Sequence, residues 1–223
     1  MTALKKKSGS PGMPVTIRKV QLADAPSIAK LGAYVFTATF GHSVEAHELQ
    51  AFLDETYTVA AITQDIQDEN KHIIVATGSE GEILGFSYLN TGSSEPCIAH
   101  VEDTVELQRI YVHPSGHGKG IGGLLSSEIH EMARERGYKN IWLGVWEENF
   151  RALSAYEKWG YRRVGHHDFV VGTVVQRDNI MLKNILIRSS TSNLSTRVVG
   201  QLHRGYQGPQ HYRPTVPQNP AVQ

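Results

Sequence analysis

Five glycines, Gly116, Gly118, Gly120, Gly122 and Gly123, lie between a strand pattern (RIYV, 109–112) and an apolar helical pattern of Ile121, Leu124, Leu125 and Ile129. A strand, a glycine turn and a helix in this order form an anion site. The first amides of a helix lack partners, the helix dipole favours negative charge, and glycine lets the backbone approach a phosphate closely. A pyrophosphate fits that description, and so does a turn with purely local duties. No GxxxxGK[ST] occurs, and no GxGxxG is followed by a suitable acidic residue at the end of a second strand, which argues against ATP and NAD.

About thirty residues further on comes NFRALSAYEKWGY, 149–161. At helical spacing Ala152, Ala155, Tyr156 and Trp159 share a face, where the small residues let a neighbour pack close. Asn149 sits where it could cap the helix or reach outward. The plain alternative makes Tyr156 and Trp159 core aromatics and Asn149 an N-cap. On the strand before the glycine turn, strict alternation would put Glu106, Gln108, Ile110 and Val112 on one face, with Glu106 either in a cleft or solvated. His166 and His167, being adjacent on a strand, point to opposite faces and cannot easily share a metal, so no metal site is expected. Cys97 has no activating partner in sight.

These residues need elements to hold them. A short strand at 15–20 precedes a helix from Asp24 to Phe40, and helical signals follow near 44–54 and 58–69. HIIVAT (72–77) and ILGFSYLN (83–90) form a hairpin around Gly78 and Gly81. A long strand through 105–112 leads into the glycine turn and a helix to Arg136. A strand at 140–145, a helix from Asn149 to Trp159 and two last strands complete a mixed α/β (α+β) domain over 14–188. Residues 1–13 read as a disordered leader. Residues 189–223 are polar, carry Arg197, Arg204 and Arg213 and no acid, and read as a disordered tail.

Composition limits the partners. Lysine plus arginine and aspartate plus glutamate both total 22 in 223 residues, so no global basic field recruits nucleic acid or an anionic membrane. One cysteine excludes an internal disulfide, and neither a secretory signal nor a membrane span is evident; a cytoplasmic or nuclear location follows as an expectation.

The segment Val112-His113-Pro114 followed by His117-Gly118-Lys119-Gly120-Ile121-Gly122 resembles motif A of GNAT acetyltransferases, Q/R-x-x-G-x-G/A after a strand ending near V-x-P. It departs from that pattern in carrying His117 at the first position. Asn149-x-x-Ala152-x-x-x-Tyr156-Glu157-Lys158-x-Gly160-Tyr161 resembles motif B of the same superfamily. The resemblance implies a bent, mostly antiparallel sheet of about seven strands, with helices on both faces and a central cleft between the strands at 105–112 and 140–145. Acetyl-CoA would lie there as co-substrate. Backbone groups of Ile110, Tyr111 and Val112 would hold its pantetheine. His117, Gly118, Lys119, Gly120, Ile121, Gly122, Gly123, Asn149 and Tyr156 would complete the cofactor contacts.

The implied activity is that of an acyltransferase moving acetyl to a primary amine by direct attack in a ternary complex. An alkyl ammonium is neutral only about once in 2,500 molecules at pH 7, a cost of roughly 4.6 kcal/mol, so a base or water chain must help. By resemblance Glu106 is the candidate base, and Tyr156, a phenol protonated at pH 7, is the donor to the leaving thiolate. The pattern from Glu106 to Lys183 is most similar to PaiA-type polyamine acetyltransferases. That implies a small amine acceptor such as spermidine or spermine, with Glu45, Glu48, Asp54, Glu55, Glu102 and Asp103 available to attract it. Two alternatives are a protein or peptide N-acetyltransferase and a silent acetyl-CoA-binding regulator. Relatives also allow a homodimer by analogy.

Overall fold

The structure is a computed structural model that describes residues 15–171 and 174–186. The expected leader and tail lie outside the described residues. Seven strands form one sheet: β1 (Thr16–Lys19), β2 (Lys71–Thr77), β3 (Ile83–Asn90), β4 (Thr104–Val112), β5 (Asn140–Trp146), β6 (Arg162–Val171) and β7 (Val174–Asn184), in the order β1-β2-β3-β4-β5-β7-β6. Every pairing is antiparallel except β4 with β5. Among the described residues no helix is long and apolar enough to cross a membrane.

The helices are α1 (Ala25–Phe40), α2 (Ala46–Thr56), α3 (Val59–Gln67), α4 (Ile121–Glu135) and α5 (Phe150–Lys158). Their apolar spacing decides which face of the sheet each one covers. In α1, Ala25, Ile28, Ala29, Leu31 and Phe36 pack with Phe86 and Tyr88 of β3 and with Ile73 and Val75 of β2. In α4, Ile121, Leu125, Ile129 and Met132 pack on the opposite face, against Leu84, Leu89, Val105 and Leu107. β3 serves both cores: Phe86 and Tyr88 face α1, Leu89 faces α4, and Leu84, the extra residue where the register with β2 breaks, also faces α4. Arg18 donates two hydrogen bonds to Asp24, at 2.7 and 2.9 Å, and so ties the end of β1 to the start of α1.

Two irregularities position the site. First, β4 pairs with β5 only at Thr104–Glu106 against Asn140–Trp142, and beyond that point the two strands part. Second, β4 carries one extra residue against β3: Leu107 faces Leu89 and Arg109 faces Tyr88, leaving Gln108 as a bulge. A bulge reverses the alternation. Glu106 therefore shares a face with Arg109 and Tyr111, while Ile110 and Val112 pack towards α4. The strict alternation of Glu106 with Gln108, Ile110 and Val112 expected from sequence does not hold.

Candidate active site

Where β4 and β5 part, a cavity of about 500 Å³ opens, closed on one side by α1 and at its far end by β6 and β7. Glu106, Ile110, Tyr111, Asn149 and Tyr156, five of the residues singled out from sequence, line it together. Val112 and the glycine turn form a separate shelf at the end of β4. There Gly118 and Gly120 take φ of +75° and +79°, and α4 begins immediately after Gly120. A side chain at either position would enter open space, so the constraint is conformational and the surface above stays clear.

The amides of Ile121, Gly122 and Gly123 are the first three of α4, before Leu124 N–H closes the first turn on Gly120 O at 3.0 Å. A clear shelf with three helix-start amides fits a pyrophosphate. The His117 ring turns back to the Val112 carbonyl at 3.0 Å. A carbonyl only accepts, so Nε2 of His117 carries a proton in this contact.

Tyr156 projects from α5 between Trp159 and Tyr161, with ring centroids at 5.6 and 5.7 Å in edge-on geometry. Its hydroxyl has no hydrogen-bond partner among the described residues. Burial, reinforced by the nearby Tyr111 phenol, pushes its pKa well above the usual phenol range, so the phenol keeps its proton at neutral pH. Asn149 accepts from Ala152 N–H at 3.2 Å, so it caps α5 and lines the cavity at once. Tyr111 brings its side chain as well as its backbone: its hydroxyl shares a 2.9 Å hydrogen bond with that of Tyr57.

The other end of the cavity is acidic. Burial raises the Glu106 carboxyl above its ordinary range, against the opposing influence of Ser93, the Asn90 amide and the Arg109 charge. The Asn90 amide donates to Glu106 Oε2 at 3.1 Å. Asp178 lies across the gap on β7, with its carboxylate over Gly144, where a Cβ would come within 3.2 Å of Oδ2. Burial lifts its carboxyl to about 6, and it has no hydrogen-bond or ion-pair partner among the described residues.

His167, opposite Asp178 in the β6–β7 register, also lines the cavity, whereas His166 is exposed. Trp142, Trp146 and Phe40 supply apolar walls. The Trp142 indole N–H is buried without a partner among the described residues. Arg109 packs over Tyr57 and Tyr88, 5.4 and 5.2 Å from the ring centroids, and bonds Asp65 at 3.2 Å.

Asp178 and Arg109 carried no sequence signal strong enough to single them out for the site, whereas His167, weighed from sequence as a metal ligand or a surface or substrate-channel histidine, lines it. None of the six carboxylates expected at the acceptor side lines this cavity. Glu48 is buried in α2, and Asp103 pairs with Lys139 at 2.6 Å.

Comparisons with known proteins agree with this geometry. Residues 38–161 match the Acetyltransferase (GNAT) family. The chain is 30% identical over 168 residues to the uncharacterized N-acetyltransferase YjgM of Escherichia coli, covering 73% of this chain and 89% of that one. It is 28% identical over 152 residues to the N-alpha-acetyltransferase RimI of Mycobacterium tuberculosis, covering 68% and 81%. A crystal structure of the PaiA N-acetyltransferase of Thermoplasma acidophilum, in complex with coenzyme A, superposes with a TM-score of 0.62 at 21% identity, covering 77% and 99%. With the split sheet, the glycine shelf and the family match in agreement, the chain belongs to the GNAT acetyltransferases and is an acetyl-CoA-dependent N-acetyltransferase.

Proposed function

We propose that the acceptor is a small primary amine bearing additional positive charge, with polyamines such as spermidine and spermine the class that fits best. The observation that carries this reading is the pair of half-buried carboxylates, Glu106 and Asp178, at the end of the cavity away from the glycine shelf. An unpaired carboxylate in a partly desolvated cleft is costly unless a cation joins it. The aromatic walls suit the methylene segments and the charge of such an amine.

Acetyl-CoA supplies the acyl group as a thioester. Ile110, Tyr111 and Val112 at the free edge of β4 are suited to hold the pantetheine arm, with the shelf from His117 to Gly123 receiving the phosphates and Asn149 bordering the arm. Glu106 meets the acceptor ammonium and draws its first proton away. The freed nitrogen then attacks the carbonyl carbon, so that a C–N bond forms and the C–S bond breaks. Tyr156 donates its phenolic proton to the departing sulfur and regains one from the new amide nitrogen. The nitrogen thus loses two protons, one to the medium and one to the thiol.

The test is thiol release from acetyl-CoA against spermidine, spermine, short monoamines, amino acids and basic peptides, with products identified by mass. Turnover highest with the polyamines supports the reading. Preference for peptide amino termini would replace it with a protein acetyltransferase, and silence with every acceptor despite acetyl-CoA binding would favour a regulator.

A further inference from the structure

His167 stands at the acidic end of the cavity with a carboxylate behind it. The turn Pro96–Ile98 packs onto β6 at Gly165, where a Cβ would come within 2.6 Å of Cys97 Sγ. That close approach holds Glu95 against the strand. Glu95 is 7% exposed, and its Oε2 lies 2.8 Å from His167 Nδ1. An ionised carboxylate only accepts, so Nδ1 carries the proton and the neutral ring keeps its lone pair on Nε2. The remainder of the ring lines the cavity, facing Asp178 across the β6–β7 pair and near Glu106 of β4.

Building on the small-amine reading, we infer that His167, held by Glu95, is the terminal acceptor of the proton that the amine gives up before attack. The acceptor ammonium docks between Asp178 and Glu106, and the proton that Glu106 draws from it passes on to Nε2 of His167, directly or through one water. The ring becomes an imidazolium bonded to the Glu95 carboxylate, and the amine becomes neutral. After the thiol departs, the imidazolium returns its proton to solvent through the cavity mouth, so charge and atoms balance without another reactant. An imidazole titrates between about pH 5 and 8 and can both take and release this proton at neutrality, which an ordinary carboxylate does poorly. The carboxylates whose fields reach the ring are Glu95, Glu106 and Asp178. His167 touches substrate in this scheme; Glu95 is a positioning residue.

The experiment measures kcat with spermidine from pH 5.5 to 9.5 for the full chain and for His167→Gln and Glu95→Gln, with acetyl-CoA affinity and thermal melting as controls. Wild type is expected to gain rate with pH along a limb between pH 5 and 8. His167→Gln should lose about 10²- to 10³-fold at pH 7, lack that limb and recover towards wild type at pH 9.5. Glu95→Gln removes the anion behind the ring, so its limb should move to lower pH. Wild-type rates and an unchanged limb in His167→Gln would overturn the inference and leave the small-amine reading standing. A limb unmoved by Glu95→Gln would overturn it as well, whether or not the first variant folds. Wild-type chain that transfers acetyl to no small amine overturns that reading and this inference together.

Discussion

Asp178 is a charge held at a cost, and the cost is measurable without any substrate. Its carboxyl moves from an ordinary 3.8 to about 6 because burial penalises the charged form with no partner to offset it. Each tenfold displacement of a proton equilibrium is 1.36 kcal/mol, so keeping the carboxylate ionised above pH 7 lowers stability by about 3 kcal/mol. Between pH 4 and 6 the native chain holds a proton that the unfolded chain has released, so this contribution makes wild type less stable as pH rises through that window.

Asp178→Asn removes the charge and keeps the shape. After allowing for the cost of burying the new amide, the gain should be about 1–3 kcal/mol at pH 8, shrinking to almost nothing at pH 4. Urea unfolding of both proteins at pH 4, 6 and 8 reads the difference, and comparing variant with wild type cancels every other titration. The same variant should bind spermidine more weakly, which is the usual exchange of stability for function. A gain below about 0.5 kcal/mol at pH 8, or the same gain at pH 4, would refute the reasoning.

Three further outcomes follow from the geometry. Glu106→Gln should raise KM for a polyamine and lower kcat by about 10- to 100-fold while acetyl-CoA affinity, measured by calorimetry, stays within threefold, because the residue lines the cavity away from the glycine shelf. Gly120→Ala forces a side chain into φ +79°, so it should cost about 1–2 kcal/mol in urea unfolding and weaken acetyl-CoA binding by distorting the start of α4. His130 is buried against the Tyr161 hydroxyl at 2.9 Å and near Lys183, and burial together with that cation pushes its pKa down to about 3. Its ring resonances in NMR should therefore stay fixed from pH 5 to 8.

Much of the scaffold was legible because its signals are local. The alternation in β2 and β3, the glycines punctuating the end of β4 and the 3.6-residue spacing in α4 and α5 each sit within a dozen residues. Observed and expected element boundaries differ by only a residue or two at most ends. The two motifs pointed to the glycine shelf and to Tyr156 in the cavity wall for the same reason. The acceptor half was harder to read.

The bulge at Gln108 changes which side chains accompany Glu106, and one extra residue in a strand leaves no mark in a hydrophobic pattern. Asp178 and His167 reach the cavity only because β7 inserts between β5 and β6, a strand order that periodicity does not encode. Glu95 reaches His167 across 72 positions of chain. The six carboxylates expected near the acceptor were chosen for charge and rough position, and charge alone does not say which way a side chain faces.

The most direct test of the whole account is the turnover of Tyr156→Phe with acetyl-CoA and spermidine, measured alongside acetyl-CoA affinity. The lost hydroxyl bonds to nothing among the described residues, so melting should barely move. The account predicts that kcat falls by about 10²- to 10⁴-fold with acetyl-CoA affinity within threefold of wild type. A variant that turns over within twofold of wild type would contradict the assignment of Tyr156 as proton donor and, with it, the chemistry assigned to this cleft.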